Sequence, residues 1–149
     1  MNTVEELKQA FIFKDVPEGV LKLVAGAAEE MSVSAGETIL APSGSPNALY
    51  VIRSGTLRVV PEGATTPLIF GTGETLGEVP LIDGGPIQGT VTALERADLL
   101  VLRAGKLADA LAGHPEAGYQ LYRAIARSLA SRLRRAVGML AFSKQRQDV

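Results

Sequence analysis

Between residues 31 and 103 no uninterrupted apolar run exceeds five residues, and glycines, prolines and polar residues separate the runs. That punctuation excludes long helices from the middle of the chain and leaves short strands joined by tight turns. "MSVSAGETILA" gives two short strands around Ala35-Gly36, and "PSGSPNA" (42–48) is a loop. "LYVIRSGTLRVV" (49–60) reads as a hairpin turning at Ser54-Gly55, and "PEGATT" (61–66) as a turn from which "PLIF" (67–70) returns. "GTGETLGE" holds a short strand at most, and "IQGTVTAL" and "ADLLVL" close the set. Many short strands at this spacing predict an antiparallel sandwich or barrel.

Helical patterns flank this zone. In residues 2–30, "VEELKQAF" puts Val4, Leu7 and Phe11 at helical spacing, with Thr3 and Glu6 as a capping box. A second helix restarts after Pro17, with Val20, Leu21, Val24 and Ala27 or Ala28 as its apolar stripe. After residue 103, "AGKLADALAGH" is a short helix, and Pro115 starts a long one through about Phe142, leaving 143–149 as a tail. Along it Tyr122, Ala126, Leu129, Leu133, Ala136 and Leu140 step as an a/d seam. Either that seam pairs with another helix or the helix lies on its own sheet. All 149 residues are expected to form one domain.

Composition narrows the function. The chain has no cysteine, hence no disulfide framework and no thiol nucleophile. Its single histidine, His114, precedes Pro115 and reads as a helix-start residue, so neither a metal centre nor a serine-histidine dyad is expected. "GTGETLGE" matches neither the phosphate loop ending in Gly-Lys-Ser/Thr nor the dinucleotide fingerprint. Catalysis is therefore not expected. No apolar run has the length of a membrane span, no secretory signal pattern opens the chain, and a cytoplasmic location is expected. The net charge of −1 hides an asymmetry: residues 1–118 carry −7 and residues 119–149 carry +6. The basic segment reads as a solvated helix face or as a surface for an anionic partner.

"GEVPLIDGGPIQGT" (77–90) is the stretch with the most chemical content. It combines a Gly-Glu turn, one short apolar helical turn, a loop with three glycines in 84–89 and the start of a strand. Such a backbone wraps a small anion, yet the stretch contains no Lys or Arg. The helix–strands–helix order, "GETILAPSGSPNALYVIRSGTLRVV", "LGEVPLI" and "TVTALERADLLVLRAGKLADALAGHPE" together resemble the cyclic-nucleotide-binding domain family over about residues 10–135.

The resemblance implies a mainly β fold with flanking helices, an antiparallel β-roll or jelly-roll with a long C-terminal helix. It implies a phosphate-binding cassette at 76–90, with Leu76, Gly77, Glu78 and Val79 at the opening and Ile87, Gln88, Gly89 and Thr90 at the close. Glu78 stands where the family's glutamate bonds the ribose 2′-hydroxyl, and Ile87 stands where its arginine holds the phosphate. An acid at a helix N-terminus is also favoured by the helix dipole with no ligand present. A charge-assisted hydrogen bond contributes about 1.5–3 kcal/mol, so losing the arginine is expected to weaken binding roughly 10- to 150-fold. Gln88 either donates a neutral hydrogen bond to the phosphate or faces solvent. Arg123 and Arg127, one turn apart on the long helix, either act as a lid over the ligand or are solvated, while Arg53 and Arg58 read as surface charges.

The expected function is a non-enzymatic sensor or regulatory domain, without a cofactor and with cAMP, cGMP or another cyclic nucleotide as ligand. The alternatives are a protein-interaction or dimerisation module whose site has decayed, or a sensor of a different small molecule. The expected partners are a second copy through the C-terminal helix or another protein. Only "SKQRQDV" follows Phe142, so a DNA-recognition helix and sequence-specific DNA binding are not expected.

Overall fold

Two apolar runs, "ALYVI" and "LLVL", lack the alternation of a half-buried strand, and the fold shows why. The computed structural model describes residues 2–40, 47–87 and 89–147, with side chains to residue 141. Eight strands, β1 (Ala28–Val33), β2 (Thr38–Leu40), β3 (Ala48–Ser54), β4 (Leu57–Pro61), β5 (Leu68–Phe70), β6 (Thr75–Leu76), β7 (Gly89–Ala93) and β8 (Ala97–Arg103), form two antiparallel four-stranded sheets. One has the order β1-β8-β3-β6 and the other β2-β7-β4-β5. The helices are α1 (Thr3–Lys8), α2 (Glu18–Ala25), α3 (Glu78–Asp83), α4 (Ala104–Leu111) and α5 (Pro115–Gln147), with a 3-10 turn at Phe11–Phe13.

The first sheet is buried on both faces. Tyr50, Ile52, Leu99 and Val101 point into the sandwich with Leu57, Leu76 and Val91. Leu49, Val51, Leu100 and Leu102 point the other way, onto Leu7, Phe13, Leu21, Val24, Leu107, Leu121 and Ile125 of the helices. A strand covered on both sides reads as a continuous apolar run. The second sheet is covered on one face only. There Val91 and Ala93 are buried while Thr90 and Thr92 are half-buried and Arg58 is exposed.

Several expectations are corrected. β3 and β4 do not form a hairpin: β3 pairs with β8 and β6, and β4 pairs with β5 and β7. Ser54-Gly55 is a corner where the chain changes sheets. Gly55 has φ 95°, and a Cβ there would collide with the Arg96 carbonyl and Ala97. The strand zone begins at Ala28, three residues early. The cap of α1 is Asn2, whose Oδ1 accepts the Glu5 N–H at 2.9 Å, rather than Thr3 with Glu6. Because α1 ends at Lys8, Phe11 leaves the helical register and is exposed, and Ile12 and Phe13 are buried instead. Arg53 is not a free surface charge: its Nη1 lies 3.0 Å from Glu6 Oε2. The long helix continues to Gln147, beyond Phe142. The predicted loop 42–48 lies outside the described residues up to 46, as does Gln88.

α5 settles on the body through Leu121 and Ile125, with Ala117, Ala124 and Leu129 packed around them. Of the predicted seam, Leu129 belongs to this internal contact, whereas Ala126, Leu133, Ala136 and Leu140 are exposed. No described helix is long and apolar enough to cross a membrane.

Candidate functional site

The cassette begins where β6 leaves the sheet. Thr75 and Leu76 pair with Val51 and Tyr50, and the chain then turns at Gly77. Gly77 has φ 93°, and a Cβ there would strike the Ala48 carbonyl oxygen, so only glycine fits. The turn starts α3. Pro80 sits in its first turn, where the missing N–H has no helical partner to lose. Leu81 anchors α3 in the helical core while Val79 and Ile82 face outward. Gly84, at φ 70°, ends the helix, and the Gly85 N–H donates to Asp83 Oδ1 at 2.7 Å.

Glu78 is 2 % exposed, and it and Thr75 are the buried polar side chains among the described residues. A buried carboxylate needs partners, and it has three donors. The Thr75 hydroxyl donates to Oε1. Arg132 of α5, 54 residues away, grips both oxygens, Nη1 to Oε2 and Nη2 to Oε1 at 3.0 Å each. Nη2 also donates to the Thr75 carbonyl at 3.2 Å. This is the fork geometry in which arginine matches a carboxylate best. An ionised carboxylate has about four lone-pair sites, so about one remains for a ligand hydroxyl.

At the other end of the cassette, Ile87 is half-buried and packs against the sandwich core, in the cluster that contains Leu76. Gly89 pairs with Pro61 at the start of β7, and a Cβ on it would lie 2.8 Å from the Val60 carbonyl. Thr90 pairs with Val60 and is half-buried. Two open grooves are present elsewhere, and neither is lined by a residue of 76–90. Among the described residues no group of three or more His, Cys, Asp or Glu is placed to hold a metal.

Arg123 and Arg127 are not at the cassette. At about 100° per residue, Arg123 lies about 180° around α5 from Arg132, and Arg127 about 140°. Both line a groove against the segment from Phe11 to Pro17. The arginine that does reach the cassette was hidden inside "SRLRRAV", a run that looks like a solvated basic face. Its signal is the core stripe: Leu121, Ile125 and Leu129 are followed at the next helical step by Arg132.

Two stacked antiparallel sheets, a glycine-turned segment with a buried acid and a long helix docked on that acid define a β-roll with flanking helices. The chain belongs to the cyclic-nucleotide-binding domain family, whose model matches residues 30–114. It is similar to the CRP-like cAMP-activated global transcriptional regulator of Mycobacterium tuberculosis, 28 % identical over 141 residues. That match takes in 92 % of this chain, which spans about three-fifths (61 %) of the length of that relative. Among solved structures it resembles the N-terminal domain of a transcriptional regulator from Streptomyces coelicolor A3(2), with a TM-score of 0.73 and 28 % identity, covering 91 % of this chain and 94 % of that one. It also resembles the catabolite activator protein of Thermus thermophilus, with a TM-score of 0.75 and 25 % identity, covering 89 % and 62 %.

Proposed function

We propose that this chain is a non-enzymatic regulatory domain that takes a cyclic nucleotide on the cassette 76–90 and holds its phosphate weakly, because Ile87 replaces the arginine. What carries the reading is Glu78: a buried carboxylate with a free acceptor site, held in place from α5 by Arg132. A ligand hydroxyl taking that site adds to a network that already joins β6, α3 and α5. Occupancy of the cassette is then felt by the long helix, which is what a regulatory domain must transmit. The cAMP-activated relative supports the ligand class.

Calorimetric titration with cAMP, cGMP and a cyclic dinucleotide tests this. The expected result is saturable binding in the millimolar range, which Glu78→Gln abolishes. Micromolar binding would contradict the weakened phosphate site, and heat that Glu78→Gln leaves unchanged would move the ligand elsewhere.

A second reading is favoured by one observation, the packing of Ile87 against the sandwich core. On it the ligand site has decayed and the fold serves as a scaffold for association. α5 presents Leu133 at 65 % and Leu140 at 71 % exposure, with Val137 between them. A second copy packing along these residues covers them. Sedimentation velocity is expected to show a dimer that Leu133→Lys with Leu140→Lys converts to monomer; a monomeric unmodified protein would exclude this association.

A further inference from the structure

α5 carries basic residues that the cassette does not use, winding from about 180° around the helix from Arg132 at Arg123 to about 60° from it at Arg135. Together with the Phe11–Pro17 segment it encloses an open groove of about 500 Å³. Arg123, Arg127, Ser131 and Arg135 recur every fourth residue along its wall, so they form one stripe. Arg53, Arg96, Arg103 and Arg132 each lie within 3.6 Å of a carboxylate. Arg127 and Arg135 have no carboxylate partner among the described residues. Arg123 is held by Tyr119, over whose ring its guanidinium sits at 5.9 Å while Nη1 donates to the phenol oxygen at 3.4 Å. Two aromatic rings on the groove wall stand in solvent, Phe11 at 70 % and Tyr119 at 57 % exposure. The groove wall thus combines exposed rings with unpaired cations.

Its length decides what fits. From Glu116 to Arg135 the wall runs about 28 Å at about 1.5 Å per residue. A small anion leaves most of that empty, whereas about eight residues of extended peptide span it at about 3.4 Å each. We propose that this groove docks an acidic peptide segment of a partner protein, with an aromatic or aliphatic side chain against an exposed ring, Phe11 or Tyr119, and carboxylates on Arg127 and Arg135. Asp15 and Glu116 also line the groove and disfavour carboxylates beside them. The guanidinium forks pair carboxylates bidentately, and the rings supply the apolar anchor that concentrates binding energy.

The test uses fluorescence anisotropy with a labelled peptide of glutamates bearing one phenylalanine near its end, about eight residues long. Its controls are the matching lysine peptide and a single-stranded oligothymidylate of equal charge. The expected result is salt-sensitive binding of the glutamate peptide alone. Arg127→Glu with Arg135→Glu is expected to weaken it at least about tenfold, and Phe11→Ser several-fold, with unchanged melting curves. Arg58→Glu, on the exposed face of β4, is expected to leave it unchanged. Failure of the glutamate peptide to bind, or binding indifferent to the double reversal, overturns the proposal. Displacement of the peptide by oligothymidylate at lower concentration assigns the groove to nucleic acid and overturns it too. So does a change of oligomeric state in the double variant, which assigns the groove to a second copy of this chain.

Discussion

Arg132→Ala is expected to lower the thermal unfolding midpoint by about 5–10 °C. Removing one partner of a buried ion pair costs about 3–5 kcal/mol, because the other charge stays behind without its counter-ion. Here the cost is reduced to about 2–3 kcal/mol, since the Arg132 side chain is itself 37 % exposed and water can enter the space it leaves. For a chain of this size each kcal/mol moves the midpoint by about 2–4 °C. The pair is asymmetric, and the asymmetry is a sharper test than the size. Glu78→Gln keeps the shape and leaves behind only a cation that can turn to solvent, so it is expected to cost less than Arg132→Ala. The double variant Arg132→Ala with Glu78→Gln removes the stranded charge and is expected to melt above Arg132→Ala alone. Arg134→Ala, on the exposed side of α5, is expected to stay within about 0.5 kcal/mol of the unmodified protein. Melting followed by circular dichroism reads all four. Arg132→Ala melting with the unmodified protein would show that the pair does not hold α5 to the cassette.

Ile87→Arg is expected to tighten cAMP binding roughly 10- to 150-fold by supplying a charge-assisted hydrogen bond of about 1.5–3 kcal/mol to the phosphate. The same change takes an apolar side chain off the sandwich core, which costs stability of about 1–2 kcal/mol because the side chain is only half-buried. Affinity and stability should therefore move in opposite directions, and calorimetry paired with a melting curve separates them. A less stable protein with unchanged affinity would mean that the cassette is closed to the phosphate, and would favour the scaffold reading.

How far the sequence reveals this molecule depends on whether a signal is local. The short strands are legible from apolar runs such as "LYVI" and "LLVL" between turn signals, whereas their cover on both faces appears only with the helices in place. The glycines in 84–89 are legible as a place where the backbone turns sharply or is approached closely, and at Gly89 the approaching group is the Val60 carbonyl. The corner at Ser54-Gly55 is not legible, because a turn signal reports a change of direction and says nothing about which sheet receives the next strand. Asn2 was passed over because Thr3 with Glu6 offers an equally good local cap. Phe11 shares the helical spacing of Val4 and Leu7 but lies beyond Lys8, where α1 stops. Arg132 depends on a partner 54 residues away, and within its own segment it looks like Arg134 and Arg135. Only the phase of the helix, fixed by Leu121 and Ile125, distinguishes it. That phase also separates the three faces of α5: one toward the core and cassette, one with exposed leucines and one with arginines. Of the basic residues in 119–149, Arg132 forms a structural ion pair and Arg123, Arg127 and Arg135 line an open groove.

The most direct test of a working cassette is a ¹⁵N amide NMR titration of the unmodified protein with cAMP. The account predicts progressive shifts at residues 76–79 and 89–90 and at the Arg132 side chain, saturating in the millimolar range. Spectra unchanged there at millimolar cAMP, or shifts confined to the groove between Phe11 and Arg135, would contradict it.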